Sequence, residues 1–410
     1  MGTIEPWLSE KYIRKVLLSE KDRVELIFLD GVRQVYLIDD CSKGEKKKMV
    51  DVMKRKGIPV VIETLPISKL SRCRGALQGL FIGDALAMPV HWYYDRLAMK
   101  RDYGYVTDYL PPKNPHPDSI LWRSSYEPIN EKGDILHDQA RYWGKRGVHY
   151  HQLLEAGENT LNLKLSALLI HSINDQEKYD ANDYLRRYIS FMTTPGQHQD
   201  TYVEECHRRF FMNYANGMDP RHCGTEEKHI GGLAGIFPIL IHYRDNPETA
   251  LERALEHLSL THRGARMESS ASLISRLFLK VIHGEPVKDL LEQEIQDQKS
   301  PFLHHPFLKW LDKPDDWVVG RQFSTACYVE ESIPAVIYLA LKYHQDTEKA
   351  LIVNTNLGGD NAYRGAVLGA LLGGANGIES LPGRWLKGLK NPPPDLKSMP
   401  QHHLSEVTPC

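Results

Sequence analysis

The chain has 410 residues, 51 basic against 53 acidic side chains, and a net charge of −2. That length exceeds one small domain and calls for two domains, or one large domain with an appendage. The near-neutral balance removes any general electrostatic case for nucleic acid or membrane, and the best apolar stretch, 365–378, is too short and too glycine-rich to span a bilayer. The six cysteines are scattered without a CxxC pair. This fits reduced thiols in a cytoplasmic protein better than a disulfide frame or a zinc site. The first residues carry no basic flank followed by an apolar core, so no secretory leader is read there.

Residues 1–66 read as a small α/β module. A short helix is expected over 8–19. Strands are expected at 24–29 and 34–38, joined as a hairpin through Asp30-Gly31. A basic helix follows over 43–56, then a third strand at 58–62. The lysines at 46–48 and the cluster at 54–56 fit a solvated helix face; the alternative is contact with the phosphates of a nucleic acid. Residues 65–66 and 68–72 read as the linker.

From Arg74 the pattern turns helical. Gly75, Gly79 and Gly83 fall four apart and leave one helix face bare, beside the carboxylate of Asp84. The stretch 103–147 is rich in Pro, Asn, Asp and aromatics and predicts a long ordered loop. Apolar periodicity then predicts helices over 161–173, 179–193, 201–212, 231–243, 248–261, 269–283, 287–299 and 331–344. Near the end, Gly365, Gly369 and Gly373 repeat the four-residue spacing behind Gly358-Gly359-Asp360-Asn361. The two bare faces are expected to pack together, with Asp360 at the mouth of the second helix as an N-cap or as the holder of a cation or ligand. The tail from 382, with three consecutive prolines at 392–394, is expected to be extended.

The chain has no GxSxG elbow, no Walker loop and no dinucleotide fingerprint. The chemistry on offer is carboxylate and amide oxygen around a hard cation such as Mg²⁺, which takes about six oxygen ligands. Asp84, Glu158, Asn159, Asp360 and Asn361 all stand at glycine-marked helix starts or in small-residue helices. His149 and His151 alternate about Tyr150, where hydrogen-bonding roles fit better than zinc ligation.

The segments Gly75–Pro89 and Asn356–Asp360, with Ser259-Leu-Thr-His262 and Tyr328–Ala335 between them, resemble the ordered motifs of the ADP-ribosylglycohydrolase family. The resemblance covers about residues 72–380. It implies a compact, mainly all-α domain after the N-terminal module, with 381–410 as a tail, and a cleft in which Mg²⁺ helps cleave ADP-ribose from a protein or nucleotide. It implies Glu158 and Asp360 as catalytic and metal-binding carboxylates. Asp84, His149, His151, Asn159, Gly358, Gly359 and Asn361 would line the ribosyl site. Two departures stand out. The family's Thr-Asp-Asp-Thr is Gly157-Glu158-Asn159-Thr160 here, and its Gly-Gly-Asp-Thr-Asp is Gly358-Gly359-Asp360-Asn361-Ala362. Two adjacent dications need several carboxylates between them, so one Mg²⁺ at most is expected. These substitutions are similar to the branch holding selenoprotein J and the jellyfish J-type crystallins. The expected function is hydrolysis of a glycosidic bond of ADP-ribose or a related ribosyl compound. The alternative is a non-catalytic ADP-ribose-binding or crystallin-like structural protein.

Overall fold

A computed structural model describes residues 67–399, together with four strands and Arg55 of the N-terminal part. The chain divides into two compact units, Met1–Ile67 and Ser68–Cys410.

The first unit contains β1 (Ile13–Leu18), β2 (Arg23–Phe28), β3 (Arg33–Leu37) and β4 (Val60–Ile62). They form one sheet in the order β3-β2-β1-β4, with β1–β2 and β2–β3 antiparallel and β1–β4 parallel. The expected helix over 8–19 is corrected here. Val16-Leu17-Leu18 is a short apolar run that periodicity cannot assign. Its place between two hydrogen-bonded neighbours makes it a strand. Apart from Arg55, the basic segment 43–56 lies outside the described residues.

The second unit is helical. Its helices are α1 (Lys69–Ala87), α2 (Arg96–Tyr103), α3 (Leu161–Gln176), α4 (Ala181–Thr193), α5 (Glu205–Ala215), α6 (Ile236–His242), α7 (Pro247–Ser259), α8 (Ala265–Ile282) and α9 (Val287–Asp297). After these come α10 (Phe307–Trp310), α11 (Asp315–Val318), α12 (Val329–Lys342), α13 (Thr347–Asn356), α14 (Asn361–Asn376) and α15 (Gly383–Gly388). The segment read as a linker is already helix: the Ser68 hydroxyl caps α1 by accepting from Ser71 N at 3.1 Å. Between α2 and α3 the chain makes only short 3₁₀ segments of one or two turns, in keeping with the prolines of that stretch.

The centre of the unit is the antiparallel pair α1–α14. Gly75 faces Gly373, Gly79 faces Gly369, and Gly83 faces Gly365. A Cβ on any of the six would fall onto a carbonyl oxygen of the facing helix. The bare faces expected from the four-residue spacing therefore meet backbone to backbone. Arg72 of α1 donates to the carbonyls of Gly374 and Ala375 at 3.1 and 2.6 Å, satisfying acceptors that the end of α14 leaves open. The tail is not wholly extended. Trp385 on α15 is fully buried and donates to Thr107 O, while Lys390 N donates to Gly157 O at 2.9 Å. The tail thus clasps the loop that carries Glu158.

Candidate active site

The α1–α14 seam brings the two motif carboxylates to the same end of the core. Asp84, in the last turn of α1, is fully buried. Its Oδ2 accepts from Asn159 Nδ2 at 2.8 Å and Thr160 N at 2.9 Å, and its Oδ1 from the Thr160 hydroxyl at 2.7 Å. Burial pushes this carboxyl up to about 6, against the pull of those donors. Its oxygens are spent on holding the start of α3.

Asp360 stands at the N-cap position of α14, also fully buried. Two left-handed glycines place it. Gly358 (φ 71°) and Gly359 (φ 65°) press against the Tyr93 carbonyl and against Thr325, where no side chain fits. Gly359 N donates to Tyr93 O at 2.6 Å, Trp92 N to Gly359 O at 2.8 Å, and Asp360 N to Thr325 O at 2.9 Å. The pair of glycines is therefore a clamp. Arg364, also fully buried, ties the clamp from within α14. Its Nε donates to Asn354 Oδ1 at 2.7 Å and its Nη2 to Gly358 O at 2.9 Å.

The Asp360 carboxyl begins a buried relay. Its Oδ1 lies 2.8 Å from His91 Nε2, His91 Nδ1 lies 2.8 Å from His151 Nε2, and His151 Nδ1 lies 2.9 Å from Asp200 Oδ1. Beyond Asp200, the ammonium of Lys164 stands 3.4 Å from Oδ2 and 3.2 Å from Glu158 Oε1. Glu158 and Asp360 are therefore linked through four intervening side chains rather than facing each other. Asp360 Oδ2 is buried and without a hydrogen-bond partner among the described residues.

Proton counting narrows the states of the relay. Three contacts need three hydrogens, and two neutral imidazoles supply two. The third is carried by Asp360 or by a charged ring. Burial holds His91 well below its ordinary value and pushes Asp360 up to about 7, although Arg364 and His229 oppose the latter. Asp200 goes the other way. Burial alone would raise it, but Lys164 and His151 outweigh that and keep it ionised. With the third hydrogen on Asp360, the order is Asp360–OH to His91, His91 Nδ1–H to His151, and His151 Nδ1–H to Asp200 carboxylate.

Other residues singled out in the sequence frame this chain. His149 Nε2 donates to Pro89 O at 3.0 Å, and its Nδ1 accepts from His151 N at 3.0 Å, which fixes the His151 ring. Asn361 Nδ2 donates to Thr355 O at 2.7 Å and to Val90 O at 3.3 Å. Asn159 Oδ1 and Asn361 Oδ1 are both buried without hydrogen-bond partners among the described residues. Glu158 spends Oε2 on Glu155 N at 2.9 Å.

Sequence reasoning missed His91, Asp200, Lys164 and Glu204. His91 had a signal, standing seven residues after Asp84 behind the α1 motif. Asp200, in an irregular loop, had none. Glu204 is buried at the N-cap position of α5 and pushed up to about 7 by burial, with the Tyr363 hydroxyl hydrogen-bonded to it. The Tyr363 hydroxyl thus engages a carboxyl. Near Asp360 also lies Cys327, whose thiol engages the His229 ring, while His229 Nδ1 is 2.7 Å from Glu227 Oε1.

The side chains do not fit Mg²⁺. Such an ion needs several convergent free oxygens. Among the described residues, no group of three or more His, Cys, Asp or Glu converges on one point. Apart from Asp360 Oδ2, the oxygens of Asp84, Glu158 and Asp360 already face Lys164, His91 or amide, backbone and hydroxyl donors. No helix among the described residues is long and apolar enough to cross a membrane.

A family model described as ADP-ribosylglycohydrolase matches residues 65–409. A solved structure described as an ADP-ribosylglycohydrolase-related protein complex superposes with a TM-score of 0.51 at 22% identity, covering 78% of this chain and 93% of that one. That likeness is one of fold. No curated protein sequence matches the chain. With the motif order, the helical core and a model match spanning nearly the whole helical unit, the chain belongs to the ADP-ribosylglycohydrolase family.

Proposed function

We propose that the chain hydrolyses a glycosidic bond of ADP-ribose or a related ribosyl compound, free or attached to protein, with Asp360 as the base and no step through Mg²⁺. Family membership supports a glycohydrolase-like function. The observation that carries the reading is the Asp360 carboxyl, anchored through Oδ1 and without a partner at Oδ2 among the described residues.

The relay lets a protonated carboxyl act as a base. As Oδ2 takes a proton from the attacking water, the Oδ1 proton passes to His91 Nε2. His91 gives its Nδ1 proton to His151, which becomes an imidazolium against the Asp200 carboxylate. Glu204, protonated below about pH 7, supplies the acid that the departing group needs as the oxocarbenium-like centre forms. Lys164 keeps Asp200 ionised and so sets the direction of transfer.

A second reading has its own observation. Asp84, His91, Asp360 and Asn361 all have zero exposure, and Trp92 stacks on His91 at 3.8 Å over the same place. This favours a non-catalytic ribosyl-binding or crystallin-like structural protein. Incubating the chain with ADP-ribosylated peptide in chelator, beside Asp360→Asn, separates the two. The hydrolase reading expects wild-type release, with a drop of about 10²–10⁴-fold on losing the acid–base group. Equal background release from both proteins, with and without added Mg²⁺, overturns it in favour of the second reading.

A further inference from the structure

Two carboxylates converge on one ammonium. Lys164 lies in the first turn of α3, and its Nζ stands between Glu158 Oε1 at 3.2 Å and Asp200 Oδ2 at 3.4 Å. The Lys164 side chain is 17% exposed and that of Asp200 0%, so solvent screens the triad poorly. Glu158 stands where the resemblance puts the family's first metal motif. Next to it, Asn159 Oδ1 is a buried oxygen that nothing in the described residues engages.

An ion placed here would draw on the oxygens that Lys164 already faces and would sit against a fixed like charge. We propose that Lys164 is a tethered cation standing in for a divalent ion between Glu158 and Asp200. Its ammonium neutralises the two carboxylates, holds Asp200 as an anion for His151, and makes the site's charge balance independent of free Mg²⁺. The inference rests on the assignment of this site but needs no turnover to be tested.

The test is uptake of Mn²⁺ by the full-length chain, read from loss of the free-ion paramagnetic resonance signal, with Mg²⁺ as competitor. Wild type takes up no stoichiometric ion at millimolar Mn²⁺. Lys164→Met, which keeps the stem and removes the charge, takes up one ion per chain that Mg²⁺ displaces. Lys164→Arg stays empty. Glu158→Gln added to Lys164→Met abolishes the uptake. Circular dichroism confirms that each variant is folded, and Lys164→Gln serves as the milder neutral variant. Wild-type uptake of one ion that Glu158→Gln abolishes overturns the proposal. So does the absence of uptake by a folded neutral variant. Neither result depends on whether ADP-ribose is released, so failure here and failure of the hydrolase reading are told apart.

Discussion

Replacing Asp360 by asparagine tests the protonation state on which the relay depends. In the folded chain this carboxyl titrates at about 7, against an ordinary value of 3.8, because burial opposes its charge. Between those values the folded state holds a proton that the unfolded state has released. The group's contribution to stability is therefore complete below about pH 4 and drains away as pH climbs through 7. The two values lie about three pH units apart, and at about 1.4 kcal/mol per unit this one side chain costs the protein ~4 kcal/mol between pH 4 and pH 8. An asparagine side chain cannot titrate, so the variant loses that much less over the same interval. Urea unfolding followed by tryptophan fluorescence reads it, since six of the seven tryptophans lie in the helical unit. Other titrating groups cancel in the difference between the two proteins as long as they lie outside the relay. Parallel stability curves from pH 4 to 8 would refute a buried, protonated Asp360, and with it the proton order assigned to His91 and His151.

Gly79→Ala should destabilise the helical unit although alanine is the better helix former. The added Cβ meets the Gly369 carbonyl, a backbone group that cannot rotate away. Overpacking costs ~1–3 kcal/mol or more, against a propensity gain of about 1. With unfolding entropy of about 2 cal/mol/K per residue, a net 2 kcal/mol lowers the midpoint of this unit by about 3 °C. Calorimetry showing a rise instead would refute the backbone contact; Gly383→Ala, where no atom lies within 4 Å, is the neutral control. Among Cys73, Cys206, Cys223 and Cys327, an alkylating reagent should label Cys327 first, since the other three are buried. Removing the His229 ring, which pulls the Cys327 thiol down against burial, should slow that labelling about tenfold per pKa unit lost, as read by peptide mapping.

What the sequence showed best was periodic. The four-residue glycine spacing at 75–83 and 365–373 leaves one face of each helix bare and lets the two come close. Long amphipathic stretches such as Ala265–Ile282 were legible for the same reason. The first strand was not, because Ile13–Leu18 is too short for its period to count and tertiary pairing decided it. The carboxylates at 84, 158 and 360 stood out as chemistry, but their partners did not. Lys164 reads as an ordinary helix lysine, and Asp200 sits in a loop without a pattern. Only the folded chain shows that His151 reaches one way to Asp200 and the other way to His91. The replaced ligand positions were visible as departures; the cation beside Glu158 was not.

The α1–α14 contact also bears on how such a site changes over time. Where two main chains touch, there is nothing at the junction to trim, enlarge or rotate, so natural variation finds no tolerated step. The carboxylates and amides at its mouth hang on ordinary side chains and are open to exchange one at a time. A frame of this kind outlives the chemistry it first carried, and a lineage can trade one charge carrier for another without moving the walls around it.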